Sequence, residues 1–264
     1  MMVTFRSLWH YRDFIFGSVK REFQSKYRNS LLGAAWTVIN PLAMIFVYTV
    51  IFSQIMQAKL PVANHGFAYG IYLCSGALTW GFFAEIAGRG QNMFLDNSNL
   101  IKKINFPRLS LPMIVVLNAS VNFAIVFGLF LTFLLAVGLW PGMTVVSAIP
   151  VLLIQMIFAI GLGMTLGVIN VFFRDAGQFF GIFLQFWFWL TPVVYPIDIL
   201  PTYIQSLIAW NPLYPLIRAY QDIFVLAQGP AWISMIYPLG LGLVMCMLGL
   251  HLFRQHVGEM VDEL

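Results

Sequence analysis

The 264 residues are 60% hydrophobic and only 9% charged, with a mean hydropathy of +0.84. Soluble domains carry about 25% charged residues, so a water-soluble globule is excluded and an integral membrane protein is expected. The formal net charge of +4 does not signal nucleic-acid binding, because the cations gather on one predicted face of the membrane, where anionic lipid heads attract them.

Residues 8–30 come first and differ from the rest. Phe16, Val19, Phe23 and Tyr27 recur at spacings of three and four, while Lys20, Arg21, Gln24, Lys26 and Arg28 fall mostly off that stripe. This is the pattern of an amphipathic helix lying in the membrane interface. It serves either as a basic anchor that fixes topology or as a moving part at the mouth of a pathway. The first long apolar run begins only after this helix, so no cleavable leader is expected and the first span is an uncleaved anchor.

Six apolar stretches follow, at residues 34–56, 67–95, 112–139, 145–173, 178–194 and 232–253. Each approaches the roughly 20 residues that a helix needs to cross the hydrocarbon core. The expected fold is therefore all-α: a polytopic single domain with six transmembrane helices. Arg6, Arg12, Lys20, Arg21, Lys26 and Arg28 precede the first span. Lys102, Lys103 and Arg108 fill the second connection, Arg174 the fourth, and Arg254 the tail. The other connections hold only Lys59 and Arg218. Lys and Arg are retained in the cytoplasm, which places both termini and the second and fourth connections inside.

Pro41 and Pro150 stand early in spans one and four, where proline is expected to kink a helix. Glu85 and Arg89 are the clear intramembrane charges. Their spacing of four, acid first, favours an ion pair, which either is structural or contacts substrate. The aromatic run 186–189 and Tyr195 end span five, and Trp36 and Tyr48 flank span one. These form an interfacial belt or, for Trp36, Tyr48, Trp187, Trp189 and Tyr195, a pathway wall on which sugar rings stack. Residues 195–231 carry five prolines and two apolar pieces too short to cross. Two short re-entrant helices between spans five and six are expected there. Cys74 and Cys246 lie in different spans at different depths, and no bridge is expected.

No phosphate-binding G-x-x-x-x-G-K-[ST] loop, H-E-x-x-H pair or Cys/His cluster occurs. No catalytic or metal site is therefore expected. A membrane acyl- or glycosyltransferase would require clustered carboxylates or histidines, and an ion-coupled porter more intramembrane charge.

Three segments carry a resemblance: Arg12-Asp13 with the run 20–23 and residues 26–33 through Trp36 to Pro41; Asn99 to Arg108 followed by Leu111-Pro112; and Phe173-Arg174-Asp175. With Asn211-Pro212-Leu213, the chain resembles the membrane subunit of bacterial ABC exporters for O-antigen, capsular and teichoic acid polymers. The resemblance implies a homodimer in the cytoplasmic membrane, docked on a separate ATPase dimer that binds ATP and magnesium, with no cofactor in this chain. It implies export of a polysaccharide on undecaprenyl diphosphate. It also implies a coupling helix within 99–104 (Asn99, Leu100, Ile101, Lys102, Lys103), a second contact at Arg174 and Asp175, and an interface helix beside a lateral opening. Lys20, Arg21, Lys26 and Arg28 would then meet the lipid diphosphate. A related ABC permease for a drug or another lipid is the alternative.

Overall fold

The computed structural model describes residues 11–27, 33–51, 66–102 and 108–264, and among these every regular element is helical. Helix α1 is Arg12–Tyr27, and α2 is Trp36–Phe46, extended by a π turn at Val47–Ile51. The 29-residue α3 is Ala68–Asp96, followed by the single turn α4, Ser98–Ile101. Next come α5, Ser110–Ala136, and α6, Ala148–Phe172, which is entered through a 3-10 stretch at Gly142–Ser147. Then follow α7, Asp175–Leu190; α8, Thr202–Ile208; α9, Leu213–Leu226; and α10, Ile236–Glu263.

Among the described residues, four helical stretches are long and apolar enough to cross a membrane: Ala68–Asp96, Ser110–Ala136, Gly142–Phe172 and Trp232–Glu263. The other two expected spans are shorter. Residues 36–51 of the first are helical, and 52–56 lie outside the described residues. The fifth begins at Asp175 and stops at Leu190, four residues before its apolar run ends. Thr191 is extended, with φ −103° and ψ 134°, because the following Pro192 excludes it from the helical region. Pro150 also differs from expectation. It stands in the first turn of α6, where the 3-10 stretch hands over and a missing N–H costs little. Pro41 lies inside α2.

Helix α3 runs through the middle, packed by α5, α6, α7 and α9. Most of its residues are small or apolar and buried, and its charges, Glu85, Arg89 and Asp96, are confined to its lower half. It approaches α6 closely. A methyl on Gly90 would lie 2.9 Å from the Gly163 Cα, so two backbones meet with no side chain between them. The α6–α10 seam is built in the same way, and a methyl on Gly161 would lie 2.7 Å from the Cys246 nitrogen. Lipid is as apolar as leucine, so close packing and interhelical hydrogen bonds hold such seams. Gln155 Nε2 donates to the Thr79 carbonyl at 2.6 Å, and Thr165 Oγ1 to the Met245 carbonyl at 3.0 Å. Cys74 and Cys246 are free thiols, as expected.

The bundle has two distinguishable ends. At the basal end, the close of α3 meets α1 and the last turns of α6 and α10; Phe94 stacks on Phe253 at 5.3 Å, and Phe172 meets His256 edge-on at 5.8 Å. At the apical end, the start of α3 holds the chain between α7 and α8. Tyr69 Oη donates to the Val194 carbonyl at 2.6 Å and Tyr72 Oη to that of Tyr195 at 2.9 Å. Gln221 of α9 donates to the Pro192 carbonyl at 3.0 Å. The six helices α2, α3, α5, α6, α7 and α10 run alternately between these ends.

Candidate functional site

The basal end gathers most of the residues singled out in the sequence. The Glu85–Arg89 pair forms at 3.4 Å, but it is one arm of a larger network. Arg89 Nη2 also donates to Glu22 Oε1 of α1, and Asn118 of α5 donates to the second oxygen of the same carboxylate. Asn122, one turn along α5, donates to Glu85 Oε1 at 2.7 Å. A guanidinium on a spanning helix has to be paired, and here it is shared by two carboxylates that two amides orient. The consequence is mechanical, because Glu22 clamps the interface helix onto α3 and α5 together.

This clamp sets the rotation of α1. Ile15 is buried, and Ser18, Val19 and Glu22 face the bundle. Phe16, the first residue of the predicted stripe, is 62% exposed. The ionic contact thus overrides part of the aromatic periodicity. Lys20 and Arg21 are exposed. The Arg21 guanidinium donates to Ser18 Oγ at 2.9 Å and lies 6.0 Å from the Phe14 ring centre. It stands at the rim of a cavity of about 270 Å³ between α1 and α3, lined also by Ser18, Glu22, Arg89, Asp96 and Leu100. Arg28 and Lys103 lie outside the described residues, as does the side chain of Lys26.

Two turns far apart in sequence converge on the same end. In the first, Asn99 and Lys102 point outward while Ile101 is buried and anchors the turn. The second holds Arg174 and Asp175, both exposed, beside Phe173. Asn170 ties this turn to the end of α3. Its Nδ2 donates to the Gln91 carbonyl at 3.0 Å and to Asn92 Oδ1 at 3.1 Å, and its Oδ1 accepts the Gly177 N–H at 3.0 Å. The helix that leads into the 98–101 turn therefore also fixes the 173–175 turn.

The aromatic candidates separate. Trp36 stands with Thr37, Asn40, Glu85 and Asn122 around a groove of about 460 Å³ between α2, α3 and α5. Trp189 is 62% exposed on α7, and its carbonyl accepts the Tyr195 hydroxyl at 2.7 Å. Tyr48 packs beside Tyr69 and Tyr72. Trp187 instead lies among Phe83, Phe158 and Phe183, at ring distances of 5.4, 6.4 and 5.0 Å. Its indole N–H donates to Asn211 Oδ1 at 3.0 Å, so this tryptophan pins α7 to the α8–α9 turn.

Sequence reasoning missed Glu22, Asn118, Asn122 and Asn170. A signal existed for the two α5 amides. Asn118 and Asn122 repeat the four-residue spacing of Glu85 and Arg89 in an otherwise apolar stretch, so each pair forms a polar strip on one helix face.

The ABC-2 type transporter model matches residues 14–225, from α1 to the end of α9. The chain belongs to this family. Curated relatives of this ABC-2 type transporter chain match along most of their length. The O-antigen export system permease protein RfbA of Myxococcus xanthus is 34% identical over 226 residues, 85% of each chain. Its namesake from Klebsiella pneumoniae is 29% identical over 245 residues, 92% of each. The polysialic acid transport protein KpsM of Escherichia coli is 20% identical over 247 residues, 92% of this chain and 93% of that one. Both the clamp and the two basal turns fall inside the stretch that the ABC-2 type transporter family shares.

Proposed function

We propose that this chain is the membrane permease of an ATP-driven exporter that moves an undecaprenyl-diphosphate-linked polysaccharide from the cytoplasm across the bacterial inner membrane. The observation that carries the reading is the match to O-antigen export permeases over 85–92% of the chain. In this reading the six alternating helices all cross the bilayer, and α8 and α9 dip into the outer leaflet and return. The basal end and both termini are cytoplasmic. Two copies form the conduit, and a separate ATPase dimer binds ATP and magnesium below them.

The geometry supports roles for the basal turns. Asn99 and Lys102, with Arg174 and Asp175, present polar groups on one surface, where a partner that changes shape on binding ATP can push. A nucleotide shifts the permease only by binding one of its states better, so the push has to reach a helix that both ends share, and α3 is that helix. Lys20 and Arg21 supply cations at head-group depth for the diphosphate, since charge-assisted bonds to phosphate are strong. The groove of Trp36, Asn40, Glu85 and Asn122 offers polar contacts at the start of the path.

The test is a deletion strain complemented with variants. Deleting the chain is expected to abolish surface polysaccharide while lipid-linked polymer accumulates inside. The triple variant Lys102→Ala, Arg174→Ala, Asp175→Ala is expected to accumulate normally and to retain ATP hydrolysis in the purified complex, while export falls at least about tenfold, the equivalent of one lost charged contact. Unchanged surface polysaccharide in the deletion strain would refute the function, and full export by the triple variant would refute the coupling assignment.

A further inference from the structure

At the apical end, α8, α9 and the start of α10 enclose a cavity of about 660 Å³. Its lining includes Trp210, Tyr214, Arg218, Asp222, Ser234 and Tyr237. A smaller cavity of about 130 Å³ adjoins it, with Asp198 and Gln221 in its wall, and the two share Tyr214, Arg218 and Asp222. Three aromatic surfaces therefore surround one guanidinium and one carboxylate. Trp210 is 78% exposed, and the Tyr237 hydroxyl donates to the Trp210 carbonyl at 2.9 Å, which fixes that rim.

The charged pair at the centre is incompletely satisfied. Arg218 Nη1 donates to the Tyr214 hydroxyl at 2.6 Å, and its Nε stands 3.8 Å from Asp222 Oδ2. That is beyond hydrogen-bond distance. Among the described residues, the Asp222 carboxylate accepts no side-chain hydrogen bond. Burial raises its pKa, and the Arg218 charge opposes the rise only in part. The site thus offers a carboxylate short of donors, a guanidinium with donors to spare, and aromatic faces on either side.

We propose that this cavity is a saccharide-binding subsite that holds a neutral, polyhydroxylated sugar unit as the polymer leaves the permease. One hydroxyl of a vicinal diol donates a hydrogen bond to Asp222 and the other accepts one from Arg218, while the ring's apolar face lies on Trp210 or Tyr237. Asp198 and Asp222 together disfavour an anionic group. Arg218 disfavours a cation. The rest of the lining, with Ala209, Pro215, Ala219, Ala231 and Met235, is apolar and suits the C–H face of a sugar ring, whereas an acyl chain would strip water from the charged pair without replacing its hydrogen bonds. The inference rests on the export reading above and deepens it, placing a contact for the cargo some 40 Å from the basal end, roughly the length of the 29-residue α3 at 1.5 Å per residue.

The experiment uses the whole exporter in cells that make the polymer. A photo-crosslinking p-benzoylphenylalanine replaces Ser234, an exposed residue of the lining to which no sugar contact is assigned, the cells are illuminated, and the captured material is resolved on gels stained for glycan and by lipid mass analysis. Glycan on the purified chain is expected, falling about tenfold with Asp222→Asn and with Trp210→Ala, two changes that leave the packed core untouched. Capture of phospholipid alone, no capture, or glycan capture unaffected by both changes would overturn the subsite while export continues. Surface polysaccharide independent of this chain would overturn the subsite and the export reading together.

Discussion

Glu22 is the residue on which the placement of the interface helix turns. It is the acid in the basic run 20–23, and it meets the one guanidinium that spanning helix α3 carries. The side chains of Arg89 and Glu22 are 33% and 44% exposed, so the pair is partly screened, and its coupling lies between surface and buried values. A double-mutant cycle of Glu22→Ala and Arg89→Ala, read by thermal unfolding in detergent, is expected to give a coupling of about 1–2 kcal/mol. Arg89→Ala is expected to cost more than Glu22→Ala, because it leaves two carboxylates without a cation instead of one cation with a remaining partner. Equal costs and no coupling would show that the clamp carries no energy. The Glu85–Arg89 pair was legible in the sequence because the residues are four apart on one helix. Its Glu22 arm was not, because 67 positions separate the partners and only the tertiary fold brings them together.

At the scale of elements, hydropathy marked the four long helices and the two shorter apolar ones, but it ended α7 four residues late and α10 ten residues early. It cannot register that Pro192 stops α7 through its neighbour, nor that Thr49 is buried against Gly70, where a π turn extends α2. The two short helices between α7 and α10 were legible from proline spacing. The interior position of Trp187 was not, since consecutive aromatics point to all sides and only packing decides which face turns inward. Helix α9 ends on Ala227 in the left-handed region, at φ 51° and ψ 34°, a conformation that glycine adopts without strain. Ala227→Gly is therefore expected to stabilise the protein by about 1 kcal/mol, seen as a higher melting temperature. The glycine seams predict the opposite response. Gly163→Leu drives a side chain into the Gly90 backbone and is expected to cost about 2–3 kcal/mol or to abolish accumulation in the membrane. Gly240→Ala, with open space around the new methyl, is expected to be neutral or slightly stabilising. Equal accumulation of both variants would mean that the α3–α6 seam is loose.

For the whole molecule, the alternation of six helices between two chemically distinct ends makes orientation testable in one assay. Single cysteines at Lys102 and Arg174 are expected to react with a membrane-impermeant thiol reagent only after the inner face is opened. A cysteine at Trp210 is expected to react from outside in intact cells. The native Cys74 and Cys246 are removed first to silence the background. Labelling of Lys102→Cys from outside would reverse the topology and with it every role assigned to the basal end.

The 29 residues of α3 contain no proline, and the helix is gripped along most of its length. Its lower stretch carries Arg89, Gln91 and Asn92, and its upper stretch carries Tyr69 and Tyr72, whose hydroxyls hold the irregular segment above α7. It is held at both ends and along the glycine seam with α6. If the basal turns receive the stroke proposed above, it passes through this one helix to the 192–195 turn, so opening below and opening above would be timed together.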